Sequence, residues 1–477
     1  MSPTTERERL YEQVAHNIEH LVQTGTFKSG ERIPSVRVLS KQMEVSVTTV
    51  LEAYRMLEDR GLIEARPQSG YYVRAARPEP PAPPEPDVPL EGPREVTVGE
   101  LIMRFIRDHR DRSRLALGAA APNPELMPTQ RLNRCLATVA RNRPLDTTMY
   151  EFAPGSEELR VQIARRMLDA GCVLSPDDIV VTNGCQEALV LALQATCHAG
   201  EAVAVESPAF YGHFKAIEML GLKAIEIPTH PDTGISLDAL EFAMNQHPIK
   251  AVLCTPCHSN PLGSRMPEES KVRLVEMATE RDIPVIEDDV YGDLCFDHHR
   301  PHALKAFEKQ PGHVLLCSSF SKTLAPGYRI GWVVTGERFR DRVELSKTFT
   351  NLASPAATQL AVAEFLANGG YDQHLRRVRR IYASQTARVA DAVGRLFPAG
   401  TRCTHPTGGF VLWIEMPRHV DALEVYSKAL QEGITLAPGH LFSTSPRFKH
   451  FIRLNTAYWS PRVERAIETI AGIVHKG

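Results

Sequence analysis

The stretch SSFSKTLAPGYRIGW, residues Ser318 to Trp332, follows an apolar run, Val314-Leu315-Leu316-Cys317, that reads as a buried strand. It carries a lysine, Lys322, out of that strand into a serine-rich turn, with an arginine, Arg329, seven residues further on. A lysine so placed is rarely packing material, because its ammonium must be paired, solvated or neutralised. Serine hydroxyls and an arginine beside a lysine amine suit the capture of a phosphate-bearing aldehyde. The amine would form the Schiff base, and Ser319, Ser321 and Arg329 would take the phosphate dianion.

Pyridoxal 5'-phosphate is an aldehyde of that kind, and it makes further demands on the chain. Its pyridine nitrogen needs a carboxylate, and PVIEDDVY (284–291) closes a strand on Asp288, with Tyr291 three residues later to bond the ring's 3'-oxygen. A second donor to that oxygen is Asn260 in HSNPLG. The phosphate wants backbone amides at a helix start, and Gly184, Cys185 and Gln186 lie where Thr182-Asn183-Gly184 turns from strand into helix. Phe210, in ESPAF, can cover the ring. Each residue alone also reads as structural: Asp288 as a strand-end cap, Asn260-Pro261 as a turn, Phe210 as a core aromatic.

Around these motifs, short apolar runs alternate with helix-length segments: 179–182, 202–205, 251–254, 285–286 and 314–316. That alternation predicts an α/β fold with a mostly parallel sheet covered by helices on both faces. Residues 355–396 read as long amphipathic helix. A small C-terminal α+β unit follows, with strands at 409–414 and 451–454.

Upstream, residues 78–93 read PEPPAPPEPDVPLEGP, half of them proline. Such chain favours extended polyproline II, a semi-rigid spacer. It divides the protein into an N-terminal domain at 1–75, a linker at 76–100 and a large domain at 101–477. In the first domain, Leu10, Val14, Ile18 and Leu21 recur at helical spacing. A short helix follows Ser35, with Val38 and Leu39 facing inward, and a third opens at Ser46 with Val50, Ala53, Tyr54 and Leu57 on one face. Two short strands around Gln68-Ser69-Gly70 then read as a hairpin. Helix, helix, turn, helix, hairpin is the winged helix-turn-helix order. The third helix would enter the DNA major groove with Ser46, Thr48 and Thr49 at its start, Arg37 would meet the backbone, and Ser69 and Gly70 would approach from the wing. The serines are equally ordinary helix caps. This domain holds ten basic and ten acidic residues, so affinity must come from charge placement and from pairing two modules.

The chain of 477 residues has a formal net charge of -2, and no apolar run approaches the roughly 20 residues a membrane span needs. A cytoplasmic protein without a membrane partner is expected. Nine scattered cysteines suit a reducing compartment. The Cys254-Cys257 pair has no second pair at zinc-finger spacing, so no metal is expected.

The run from Glu31 to Val73 resembles the winged helix of the GntR family of bacterial regulators, with Val47 where that family commonly has arginine. From about Leu115 onward the chain resembles the fold-type-I aminotransferases, most specifically in SFSKTLAPGYRIGW and EDDVYGDL, and the two together resemble the MocR subfamily of GntR regulators. The resemblance makes Lys322 the catalytic, Schiff-base lysine and assigns the other residues as above. It adds Tyr150, which would reach a neighbouring subunit's phosphate and so implies a homodimer, and Arg453, which would fork onto an amino acid's α-carboxylate. Cys185 stands where a serine is usual, and Ala120 where a glycine is frequent. The resemblance implies a pyridoxal phosphate-dependent transcription regulator that binds operator DNA and senses an amino acid, amine or vitamin B6 form at Lys322. Two alternatives are an active aminotransferase with a DNA-binding appendage and a sensor of cofactor level alone.

Overall fold

Eight strands form the central sheet, in the spatial order Ile179–Thr182, Gly331–Val334, Val314–Ser319, Val285–Asp288, Ile249–Cys254, Ala202–Ser207, Lys223–His230 and Gly234–Ile235. All run in one direction except Gly331–Val334 and the edge strand Gly234–Ile235, which are antiparallel to their neighbours. The five strands read from the sequence are present. Four of them are buried at every residue, which is why they appear as continuous apolar runs. This is the mostly parallel α/β architecture expected of the large domain.

The computed structural model describes residues 10–24, 26–28, 30–66, 69–73, 80–86, 92–94, 99–111, 113–297 and 299–477. Contacts divide the chain into two compact units, Met1–Pro80 and Pro81–Gly477. None of the described helices is long and apolar enough to cross a membrane.

The N-terminal unit has helices Leu10–Gln23, Val36–Gln42 and Val47–Asp59, followed by the antiparallel hairpin Ile63–Arg66 and Gly70–Val73. Val50, Ala53, Tyr54 and Leu57 are fully buried against Val14, Ala15 and Ile18, so the expected face is the core face. Val38 departs from expectation. It is 47% exposed, while Leu39 carries the short helix's burial, because seven residues make under two turns and present one apolar position inward.

In the large unit the expected continuous helix over 355–396 is two helices, Ala356–Ala367 and Gly370–Leu396. Gly369, at φ +68°, takes the left-handed conformation that separates the two. The first of the pair is buried almost all round rather than amphipathic. A four-stranded antiparallel sheet, ordered Arg402–Cys403, Val411–Glu415, Phe451–Asn455, Ala437–Pro438, forms the small C-terminal subdomain.

The proline-rich segment is not a free spacer throughout. Cys403 N donates to Ala82 O at 3.0 Å, and Arg402 pairs with Glu85 at 2.9 Å. Residues 81–85 therefore lie along the outer strand of the small sheet. Prolines lack the N–H that would extend a ladder but keep carbonyls that accept from an edge. Residues 76–79, 87–91 and 95–98 of the expected linker lie outside the described residues, and from Gly99 the chain is helix to Asp108.

Candidate functional site

The parallel strands deliver their C-terminal ends to one edge of the sheet, where open α/β sheets form crevices. The turns that leave those ends enclose a cavity of about 140 Å³. It is lined by Cys185, Gln186, Phe210, Asn260, Asp288, Tyr291, Ser319, Ser321, Lys322 and Arg329, with Leu189, Thr255 and Val290. Ten residues singled out from five separate stretches of sequence thus meet in one place.

At one end of the cavity, Gly184 precedes the helix Cys185–Thr196 at φ +89°. A side chain at Gly184 would strike the Arg329 guanidinium, which folds over this turn and donates from Nη2 to Asn183 O at 2.8 Å. Free backbone amides at a helix start, an arginine and the hydroxyls of Ser319 and Ser321 make an anion cup. Ser321 N donates to Ser319 Oγ at 3.3 Å, which holds the two hydroxyls on one turn.

In the wall beside it, Asp288 is buried and its Oδ2 lies 2.9 Å from His213 Nε2. Cys185 Sγ lies 3.5 Å from the other carboxylate oxygen, and burial followed by that carboxylate's charge raises the thiol's pKa well above its ordinary value. The neutral thiol therefore acts as a weak donor where a serine would be a strong one. Sequence reasoning missed His213. Its signal was the spacing Phe210-x-x-His213, which starts a helix and sets the two rings edge to face at 5.6 Å.

Lys322 Nζ donates to Ala120 O at 2.7 Å and lies 5.8 Å from the centre of the Tyr291 ring. Burial, and next the charge of Arg453, lower its pKa from the ordinary lysine value to about 8, against the opposing pull of Asp288. A far larger share of the amine is therefore neutral near pH 7 than for an ordinary lysine. The Tyr291 hydroxyl is buried without a partner among the described residues, and burial holds its pKa above the usual phenol value.

Arg453, on the strand Phe451–Asn455, is fully buried one hydrogen bond behind the cavity wall. Its Nη1 donates to Asn260 Oδ1 at 2.8 Å, its Nη2 bonds the Gly118 carbonyl, and its Nε has no partner among the described residues. No carboxylate of the described residues pairs with it, and burial lowers its pKa. Asn455 Nδ2 binds the carbonyls of Ala119 and Ala121 at 2.7 and 2.8 Å, so the same strand fixes the segment whose Ala120 carbonyl receives Lys322.

Tyr150 is not brought to this cavity. It is 69% exposed beside the equally exposed Leu145, Met149 and Phe152. Of the CxxC pair, Cys254 is a buried strand residue and Cys257 Sγ accepts from Lys271 Nζ at 3.3 Å.

In the N-terminal unit, Ser46 caps the third helix by accepting from Thr49 N at 3.1 Å, and its hydroxyl also meets those of Thr48 and Thr49 at 3.1 and 2.8 Å. Ser46, Val47 and Thr48 are exposed at the helix start, and Arg37 is exposed on the helix before it. Ser69 Oγ bonds Tyr72 OH at 2.6 Å, and Gly70 packs on the Arg32 side chain. Gln68 lies outside the described residues.

Residues 136–470 match the family of class I and II aminotransferases, and residues 10–73 match the gntR family of bacterial regulatory proteins. The uncharacterized HTH-type transcriptional regulator YjiR of Escherichia coli is 38% identical over 98% of this chain and 99% of its own length. The 2-aminoadipate transaminase of Thermus thermophilus is 29% identical over 72% of this chain and 85% of its own. Among solved structures, the Thermus thermophilus α-aminoadipate aminotransferase LysN, complexed with N-(5'-phosphopyridoxyl)-L-leucine, superimposes with a TM-score of 0.72 at 26% identity, covering 79% of this chain and 94% of that one. The Pyrococcus horikoshii kynurenine aminotransferase, solved with PMP, gives 0.73 at 27% over 80% and 95%.

Proposed function

The chain belongs to the class I and II aminotransferase family, joined to a gntR-type DNA-binding domain, and from that membership we propose a transcription regulator that senses an amino acid or amine in its large unit. Its cofactor is pyridoxal 5'-phosphate. The observation that carries the sensing role is Arg453. A fully buried guanidinium with only neutral partners is an unfavourable arrangement that a ligand carboxylate would complete.

The residues present fit the cofactor. Gly184, Cys185, Gln186, Ser319, Ser321 and Arg329 would take its phosphate, Asp288 its ring nitrogen, Tyr291 and Asn260 its 3'-oxygen, Phe210 one face of the ring and Lys322 its aldehyde. The unpartnered Tyr291 hydroxyl and the turn that only glycine can occupy at 184 support that fit. When bound, the cofactor supplies an aldehyde that condenses with primary amines and a ring that withdraws electrons. His213 Nε2, 2.9 Å from Asp288 Oδ2, would hold that carboxylate in orientation. Lys322, with a pKa near 8, can give up and take back a proton at Nζ. Arg453 would orient an amino acid by its carboxylate.

A route from Arg453 to the tether exists within the large unit. Arg453 is in register with Trp413, and the next residue of that strand, Ile414, is in register with Cys403, whose N–H binds Ala82. Movement of this sheet on ligand binding would pull residues 81–85 and so bias the DNA-binding unit, which is linkage between two sites. In the N-terminal unit Ser46, Thr48, Thr49, Arg37, Ser69 and Gly70 would face the operator. The exposed cluster around Tyr150 supports a homodimer in which that tyrosine serves the partner's site. A second reading, genuine transamination, is favoured by the lowered pKa of the Lys322 amine, which eases proton transfer at Nζ. Titrating amino acids and amines into the purified yellow protein tests the proposal: a shift in the visible band is expected, and a protein that neither holds the cofactor nor responds to any of them contradicts it.

A further inference from the structure

A second large groove lies outside the cofactor cavity, between the turn that leads into the helix Thr129–Asn142 and the first turns of Gly370–Leu396. Five arginines line it, Arg131, Arg376, Arg377, Arg379 and Arg380, against two carboxylates, Glu125 and Asp297. Asp297 is already paired with Arg265 at 2.9 Å. None of the five guanidiniums has a carboxylate partner among the described residues. Arg377 Nη2, Arg379 Nε and Arg380 Nε donate to the carbonyls of Leu126, Asp293 and Arg376, and Arg131 stacks 5.5 Å over Phe365. Four of the five are exposed and Arg379 is half-buried.

Helix stability does not account for this cluster, since like charges one turn apart, such as Arg376 and Arg380, repel by a few tenths of a kcal/mol. A chain of net charge -2 has gathered unpaired positive charge along one groove, which is the arrangement that attracts a polyanion. Arg376 and Arg380 are about 6 Å apart along the helix axis, close enough for long, flexible guanidinium arms to reach neighbouring phosphates of one DNA strand. The N-terminal domain, with equal numbers of basic and acidic residues, brings no net attraction of its own.

We infer that this groove is a second binding surface for duplex DNA, gripping the phosphates of one strand outside the sequence read by the N-terminal unit. The inference rests on the DNA-binding reading and extends it to the large unit. Arginines paired only with neutral carbonyls keep their charge available, and the contact would be independent of sequence, because nothing in it addresses base edges.

The test uses the full-length holoprotein and random-sequence duplexes of about 20 and about 60 base pairs, measuring affinity over a range of salt concentrations. The triple variant R376S/R377S/R380S is compared with wild type and with R388S, an exposed arginine on the same helix outside the groove. Unchanged cofactor absorbance and unchanged binding of the short duplex serve as the folding control. Wild type and R388S should show a steeper salt dependence on the long duplex than on the short one. The triple variant should lose that excess, its slope on the long duplex falling by about two to three. Equal slopes for wild type and triple variant on the long duplex overturn the groove while leaving the N-terminal unit's role intact. A wild-type protein that binds neither duplex overturns both.

Discussion

Arg453 and Asn260 are joined by a 2.8 Å hydrogen bond across 193 residues of chain, Nη1 of the arginine donating to Oδ1 of the asparagine. The residue proposed to hold a ligand's carboxylate is thus fastened to one proposed to hold the cofactor's ring. A change at either is transmitted to the other.

Replacing Arg453 should separate amino acids from amines. In wild type, an amino acid should shift the cofactor's absorbance at concentrations roughly 10- to 100-fold lower than the matching amine without the carboxylate, as a charge-assisted pair of about 1.5–3 kcal/mol would give. Arg453→Ala should abolish that preference while keeping the cofactor, and Arg453→Lys should retain part of it. An undiminished preference in the alanine variant would show that the carboxylate is bound elsewhere.

Lys322→Ala should remove the visible band of the purified protein and leave its fold unchanged by circular dichroism. In wild type stripped of cofactor, the rate of recapture should rise with pH through a midpoint near 8 and level off above about 9. The lowered pKa leaves roughly a tenth of the amine neutral at pH 7 and most of it neutral at pH 9. A flat profile between pH 6 and 9 would mean that the lysine's ionisation does not govern capture.

Glu206 is buried beside the cavity wall, its Oε2 accepting from Thr255 N at 3.0 Å and its Oε1 without a partner among the described residues; burial raises its pKa to about 8. Its folded pKa lies above the unfolded value, so the folded state binds the extra proton and stability from this group falls as pH rises from about 5 to about 8. Glu206→Gln can keep the Thr255 bond without the titration. The Tm of the large unit should therefore decline less in the variant than in wild type between pH 5.5 and 8.5. Parallel declines would show that the carboxyl does not stay protonated in the folded protein.

Replacing residues 81–86 with a Gly/Ser segment of equal length removes the contacts of Ala82 and Glu85 with the edge strand. Cofactor absorbance and DNA affinity without ligand should stay within about twofold of wild type, while any effect of ligand on DNA affinity should be lost. A retained ligand effect in DNA-binding measurements would rule out this arm as the connection.

Much of the fold was legible because its strands are short, buried and apolar, each ending in a motif rich in glycine, serine or asparagine. Lys322, Asp288 and Asn260 were conspicuous for that reason, as polar residues at the ends of apolar runs. The strand Gly331–Val334 was hidden because its residues had been read as the tail of the lysine motif. His213 gave only a weak signal, since the Asp288 carboxylate that explains it lies 75 residues away. The break at Gly369 was obscured by strong helical pattern on both sides. The docking of residues 81–85 could not be read at all, because proline-rich composition predicts extension and is silent on what lies alongside.

The central claim is that the cofactor site and DNA are linked through the carboxylate of a bound ligand. It is tested most directly by measuring affinity for an operator, recovered by selection from a random duplex pool, with and without the amino acid that shifts the absorbance. Wild type should change its DNA affinity at least fivefold on saturation, corresponding to a coupling of about 1 kcal/mol or more. Arg453→Ala should bind the operator normally and show no change. Equal affinity with and without the responding amino acid in wild type would contradict the account and leave an aminotransferase whose DNA-binding domain acts independently of its site.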